Sequence, residues 1–262
     1  MKDIMKSIGY EIVRSKMMIR LYILFIFVMG LIGVINVDLV QNGLGASGML
    51  ADSASVTYIF SSFVLALIVG IICGEDYLDK VANYEILFGH SRKSIFFARS
   101  LMGILVGAVL STLLGFVPII TGSAVGGFGS SLVLTDVIAR QLLFFFPFLR
   151  LGAFFAMLTF LVKNPYIIMA AGFVIGEAGQ LFAEMFSHAK SYYVSIFNFN
   201  LLTDYTGWSI YNIDPTVGVV KYNAFNSSLS SQMVCGTIIC SLLVTAFYLF
   251  MGYALFRRDE LN

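Results

Sequence analysis

Charge is scarce in this chain. Only 12% of its 262 residues are Asp, Glu, Lys or Arg, about half the share of an ordinary soluble domain. Histidine (2), cysteine (3) and proline (4) are scarcer still, and these absences exclude chemistry. No Gly-Lys pair occurs anywhere, so the chain has no GxxxxGK[ST] loop to cradle a phosphate. HExxH and GxSxG are missing as well. His90 and His188 both fall near loops and give a metal or hydrolytic centre little to work with. Cys73, Cys235 and Cys240 form no CxxC pair and lie in apolar segments, so they read as small buried hydrophobes. No catalytic residue, no metal and no nucleic-acid partner is expected.

What is present is hydrocarbon. Hydrophobic residues make up 59% of the chain, with 25 Phe and 13 Tyr, and the mean hydropathy is +0.90. One soluble core could not hide that much apolar surface. Six apolar stretches, at 19–37, 56–74, 101–123, 137–162, 166–186 and 233–256, are each long enough to cross a bilayer with some tilt. The expectation is an all-α polytopic membrane protein, residues 1–262 forming one domain of six transmembrane helices. The N-terminal stretch is long and mixed in charge, with no small-residue cleavage pattern after it, so the first span reads as a permanent anchor. Only Lys163-Asn164-Pro165 separates the fourth and fifth stretches, and the proline marks a tight reversal there.

The cations set the orientation. Twelve of the sixteen Lys and Arg fall in the N-terminal stretch, the second and fourth connections and the tail; Arg140, Lys190 and Lys221 fall on the opposite side, and Arg150 lies inside a span. By the positive-inside rule both termini are cytoplasmic. Two segments on that side are amphipathic. Met1, Met5, Ile8 and Ile12 recur at helical spacing, as in a helix lying at the interface over residues 1–18. Tyr77, Val81, Tyr84 and Phe88 do the same within 75–91, with Gly89 as a helix stop and Ser91 as the N-cap of a helix that carries Arg92, Lys93 and Arg99 on a cytoplasmic stem. The outer segment, 187–232, is rich in aromatics and poor in charge, which suits short helices at the outer interface.

Small residues recur every fourth position in two spans: Ser62, Ala66, Gly70 and Gly74 in the second, Gly103, Gly107, Ser111 and Gly115 in the third. Such rows let helix backbones approach closely, so they read as packing seams. Gly172 and Gly176 add to them in the fifth span. Arg150 stands 13 positions before Lys163 and Glu177 14 after it, so an antiparallel pair folded there sets both at about 20 Å from the turn. Charges at that depth are costly unless paired, and an Arg150–Glu177 ion pair is expected, either as a bolt between helices or on a transport path. The same folding sets Glu184 near Arg140, toward the outer face. Pro147, one turn before Arg150, opens the backbone ladder.

The layout resembles the membrane subunit of type-2 ABC exporters. The resemblance is carried by Gly74-Glu75-Asp76-Tyr77, by the run from Tyr84-Glu85 through Phe88-Gly89-His90-Ser91-Arg92 to Ala98-Arg99, and by the tail Phe256-Arg257-Arg258-Asp259. Small size and the lack of a large ectodomain are similar to permeases of bacterial peptide, lantibiotic or bacitracin-type export and immunity systems. The resemblance implies a coupling helix in 75–91 that docks on two separate ATPase subunits, with Tyr84, Glu85, Phe88, Ser91, Arg92 and Lys93 at the contact. It implies a second permease copy or a related permease, a bacterial plasma membrane, and a substrate such as an antimicrobial peptide or another amphipathic molecule. ATP and Mg would be held by the partner chain; this chain would bind no cofactor and would not itself be an enzyme. A second reading is a non-transporting receptor or immunity scaffold that sequesters a ligand through its outer segment. An ion-driven secondary transporter is a third, but only Glu177 and Glu184 are available as intramembrane acids.

Overall fold

A computed structural model describes residues 2–39, 54–79, 88–129, 133–174, 211–213, 220–222 and 231–258. The described chain is helical apart from one short antiparallel pair, β1 (Tyr211–Ile213) with β2 (Val220–Tyr222). The helices in chain order are α1 (Lys2–Arg14), α2 (Lys16–Leu39), α3 (Ala54–Asp79), α4 (Arg92–Leu114), α5 (Phe116–Gly126), α6 (Leu134–Leu143), α7 (Phe145–Val162), α8 (Pro165–Val174) and α9 (Ser231–Arg258). Among the described residues, four helical stretches, Lys16–Ile35, Arg92–Gly126, Val137–Val162 and Val234–Arg257, are long and apolar enough to cross a membrane. The apolar segment Phe60–Gly74 of α3 and the helix Pro165–Val174 accompany them.

Local chemistry sets the breaks between these helices. Ser15 ends α1 with its N–H on the Glu11 carbonyl at 2.8 Å, then starts α2 by accepting the Met18 N–H on its hydroxyl at 3.4 Å. Two of the long stretches are broken in the middle, at Gly115 and at Phe144. In each case the first half ends four residues before a proline: Leu114 precedes Pro118, and Leu143 precedes Pro147. Proline has no N–H for the carbonyl four residues back and its ring crowds that carbonyl, so the ladder opens there. The third apolar stretch is therefore α4 plus α5, and the fourth is α6 plus α7, where sequence periodicity read one helix each.

The reversal at Lys163-Asn164 is sharp. Lys163 adopts a left-handed backbone (φ 57°) and donates its N–H to Thr159 O at 2.8 Å, closing α7. Asn164 Oδ1 then accepts the Tyr166 N–H at 3.0 Å, capping α8, with Pro165 in its first turn.

Packing places α3 in the middle. Every residue from Val64 to Gly70 is buried, as befits a helix enclosed on all sides. One buried cluster joins α3, α4, α7 and α9 through Leu65, Val69, Phe96, Ile104, Phe155 and Phe256. A second joins α1, α2, α3 and α4 through Ile4, Ile8, Met29, Val64, Ile68 and Ile95. On α1, Ile4 and Ile8 are the deeply buried pair, and Met5 and Ile12 flank them. Cys73 is buried, but Cys235 is exposed on α9, contrary to the expectation for it. The reason is that α9 packs on α7 by one side and turns the other outward.

Candidate functional site

Close contacts give the direction of each helix. Gly103 of α4 lies against Ile72 and Cys73, Gly107 against Leu65, Ile68 and Val69, and the Ser111 hydroxyl donates to Ser61 O at 3.0 Å. Helices α3 and α4 are therefore antiparallel. By the same logic α8 runs antiparallel to α3: Gly74 and Gly70 meet Pro165, and Gly172 meets Ala66 and Ser62. Gly252 of α9 lies against Phe96 of α4 and Met157 of α7, and Gly9 of α1 lies against Met102 of α4. One end of the bundle thus gathers α1, the C-terminal end of α3, the start of α4, the α7–α8 reversal and the end of α9. Lys6, Arg92, Lys93, Lys163 and Arg257 all belong to that end.

At that end the chain enters α4 through an exposed turn. Phe88 is 83% exposed, Gly89 takes φ +88° with open space where a side chain would stand, and Ser91 caps the helix by accepting the Ser94 N–H at 3.2 Å. Arg92 and Lys93 are exposed in the first turn. Tyr84 and Glu85 lie outside the described residues. Arg99 departs from the expected exposed stem. It is only 7% exposed, because α1 packs over this part of α4, and it stands within electrostatic reach of Glu11 on α1 and Cys73 on α3.

Directly beneath the turn is an aromatic knot that sequence reading did not find. Phe96 of α4 packs against Phe160 of α7 (ring centroids 4.7 Å) and against Tyr253 and Phe256 of α9 (5.6 Å each). Phe160 and Phe256 close the triangle at 5.3 Å. These tilted and edge-on geometries are the favourable ones for aromatic pairs. The signal was faint: a Phe-Phe pair ahead of Ala98-Arg99 and a Phe at the start of the tail motif, far apart in the chain.

The small-residue rows do not face each other. The row Ser62, Ala66, Gly70 and Gly74 receives α8 and Thr159 of α7. The row Gly103, Gly107 and Ser111 receives the opposite side of α3. Gly115, grouped with that second row by spacing, belongs elsewhere: it faces the Gln141 side chain of α6. Gln141 is buried and its Nε2 donates to Thr112 O at 3.2 Å, beside the break. Thr112 in turn donates its hydroxyl to Ala108 O at 2.7 Å. The helix break at Gly115 and the α6 helix are thereby stitched together by a polar contact.

Among the described residues Arg150, on α7 and 1% exposed, is the largest fully buried side chain. It stands within electrostatic reach of Tyr248 on α9. Its expected partner Glu177 lies outside the described residues, as does Glu184; Arg140 belongs to α6. Among the described residues no three His, Cys, Asp or Glu come together as a metal site. No protein-family profile and no curated protein matches this chain.

Proposed function

We propose that this chain is the membrane subunit of an ATP-driven exporter of the type-2 ABC kind, with six spans and both termini in the bacterial cytoplasm. One observation carries the reading. The cation-rich segments converge on one end of the bundle, and there an exposed Phe88 turn leads straight into a capped helix. A partner ATPase docking on 75–91 would push on the start of α4. The Phe96–Phe160–Phe256 knot passes that push to α7 and α9 together, because packed aromatic cores move as units. The proline breaks at Gly115 and Phe144 are the places where the far halves of these helices swing relative to the near halves.

In this reading two copies, or this chain and a related one, form the path for an amphipathic peptide, and ATP and Mg are bound by the partner ATPases. Arg150 pairs with Glu177 inside the bilayer. The test is purification from native membranes with identification of partners by mass spectrometry. An ATPase chain should copurify, and the Tyr84→Asp/Phe88→Asp variant should insert normally but lose the ATPase. Retention of the ATPase by that variant would reject the docking role of the turn. For the ion pair, Arg150→Glu and Glu177→Arg should each impair folding and the double reversal should restore it.

A further inference from the structure

A cavity of about 300 Å³ lies between α2, α3 and α4 beside the α1–α2 joint. Its wall is built from Met18, Phe25, Val64, Leu67, Ile68 and Leu110, and is almost wholly apolar. The one hydroxyl there, on Tyr22, is already donated to Leu110 O at 2.9 Å. Nothing inside therefore selects a polar solute, and the buried part of any occupant is hydrocarbon.

The neighbouring stripe of α2 is different. Lys16 and Arg20 are exposed, one turn apart at the start of α2. Ile19 and Ile23, three residues after each of them, line the cavity and are themselves 46% and 59% exposed. Charge and hydrocarbon thus lie on adjoining stripes of one helix. Arg14 is engaged on its own helix: its Nη1 donates to the Tyr10 hydroxyl at 2.7 Å, and its guanidinium lies 5.7 Å over the Tyr10 ring. An apolar slot with two exposed cations on the adjoining stripe of the same helix matches an acyl chain carrying an anionic headgroup.

We propose that this cavity holds an acyl chain of an anionic phospholipid, with its phosphate between Lys16 and Arg20 in the leaflet beside α1. The proposal rests on the chain residing in a membrane and is independent of transport. The full chain is reconstituted into nanodiscs of equal parts phosphatidylglycerol and phosphatidylcholine, and retained lipid is counted by native mass spectrometry. Wild type should retain phosphatidylglycerol in preference. Lys16→Gln with Arg20→Gln should lower that preference about 30-fold, at about fivefold for each surface charge removed. Ile23→Trp, at a position exposed enough to leave folding intact, should reduce retention of both lipids by obstructing the mouth. Equal retention of the two lipids by wild type, or a preference that survives the double substitution, would overturn the assignment. Failure of the chain to enter the nanodisc at all would reject the membrane reading along with it.

Discussion

The inner helices and the outer helices follow opposite rules. Of the most apolar window of α2 only 17% is buried, and of α9 only 11%; for α4–α5 and α6–α7 the shares are 56% and 61%. The outer pair turns Ile23, Phe27, Leu31, Leu243, Phe247 and Phe250 outward. The inner helices hold most of the buried polar residues, Ser111, Thr112, Gln141, Arg150 and Thr159 among them, with Thr237 and Ser241 on the inward side of α9; both helix-breaking prolines, Pro118 and Pro147, are buried as well. In water this distribution would be inverted. In lipid it is the stable one, because an outward Leu meets a solvent as apolar as itself, while backbone and side-chain polar groups must be satisfied within the protein. The difference teaches that close packing at the small-residue seams holds this bundle together, and outward hydrophobicity does not.

The strongest way to break that contrast is at an inner seam. A Cβ at Gly172 would collide with the Cβ of Ala66, a group with no flexible end to move aside, and would lie 3.6 Å from the α3 backbone at Phe63. Gly172→Leu should destabilise by about 3 kcal/mol in an unfolding titration from mixed micelles into denaturing detergent. A change below about 1 kcal/mol would mean that α3 and α8 are not in contact as described. Next comes Gln141→Leu, which keeps the volume but leaves the Thr112 carbonyl without its donor. A loss of about 1–2 kcal/mol is expected on the same titration, with faster hydrogen exchange around Gly115 than in wild type.

How much of this was legible depended on whether the determinant was local. The Ser91 cap and the Lys163-Asn164-Pro165 reversal rest on neighbouring residues, and both stand where turn chemistry places them. The seams were legible as faces but not as partners, since periodicity says which side of a helix is smooth and never what lies against it. Gly115 shows the limit. Spacing aligned it with Gly103, Gly107 and Ser111, but spacing does not say which neighbour lies at each level, and Gly115 meets Gln141 of α6 instead. Gln141 itself sits between Arg140 and two leucines and gave no sign of being buried. Arg99 belongs by sequence to a cytoplasmic stem, and nothing in the sequence says that α1 folds over it. The aromatic knot joins residues 96, 160 and 256, and no pattern along one chain links positions that far apart.

The smallest effects sharpen the comparison most, because they separate local from environmental terms. Asn164→Ala removes the Oδ1 that accepts the Tyr166 N–H at 3.0 Å and reaches the Ile167 N–H at 3.4 Å. Loss of such a cap costs about 1 kcal/mol whatever surrounds the helix. Leu243→Ala deletes far more carbon from a position 67% exposed on α9. In water-filled surroundings an exposed leucine contributes little; in lipid it exchanges one hydrocarbon neighbour for another, so the change should stay within about 0.5 kcal/mol. The discriminating measurement is the same pair of variants compared in detergent micelles and in bilayers, with membrane retention of Leu243→Ala assayed alongside. If the alanine at 243 proved more damaging than the alanine at 164, the outward face of α9 would have to be covered by protein.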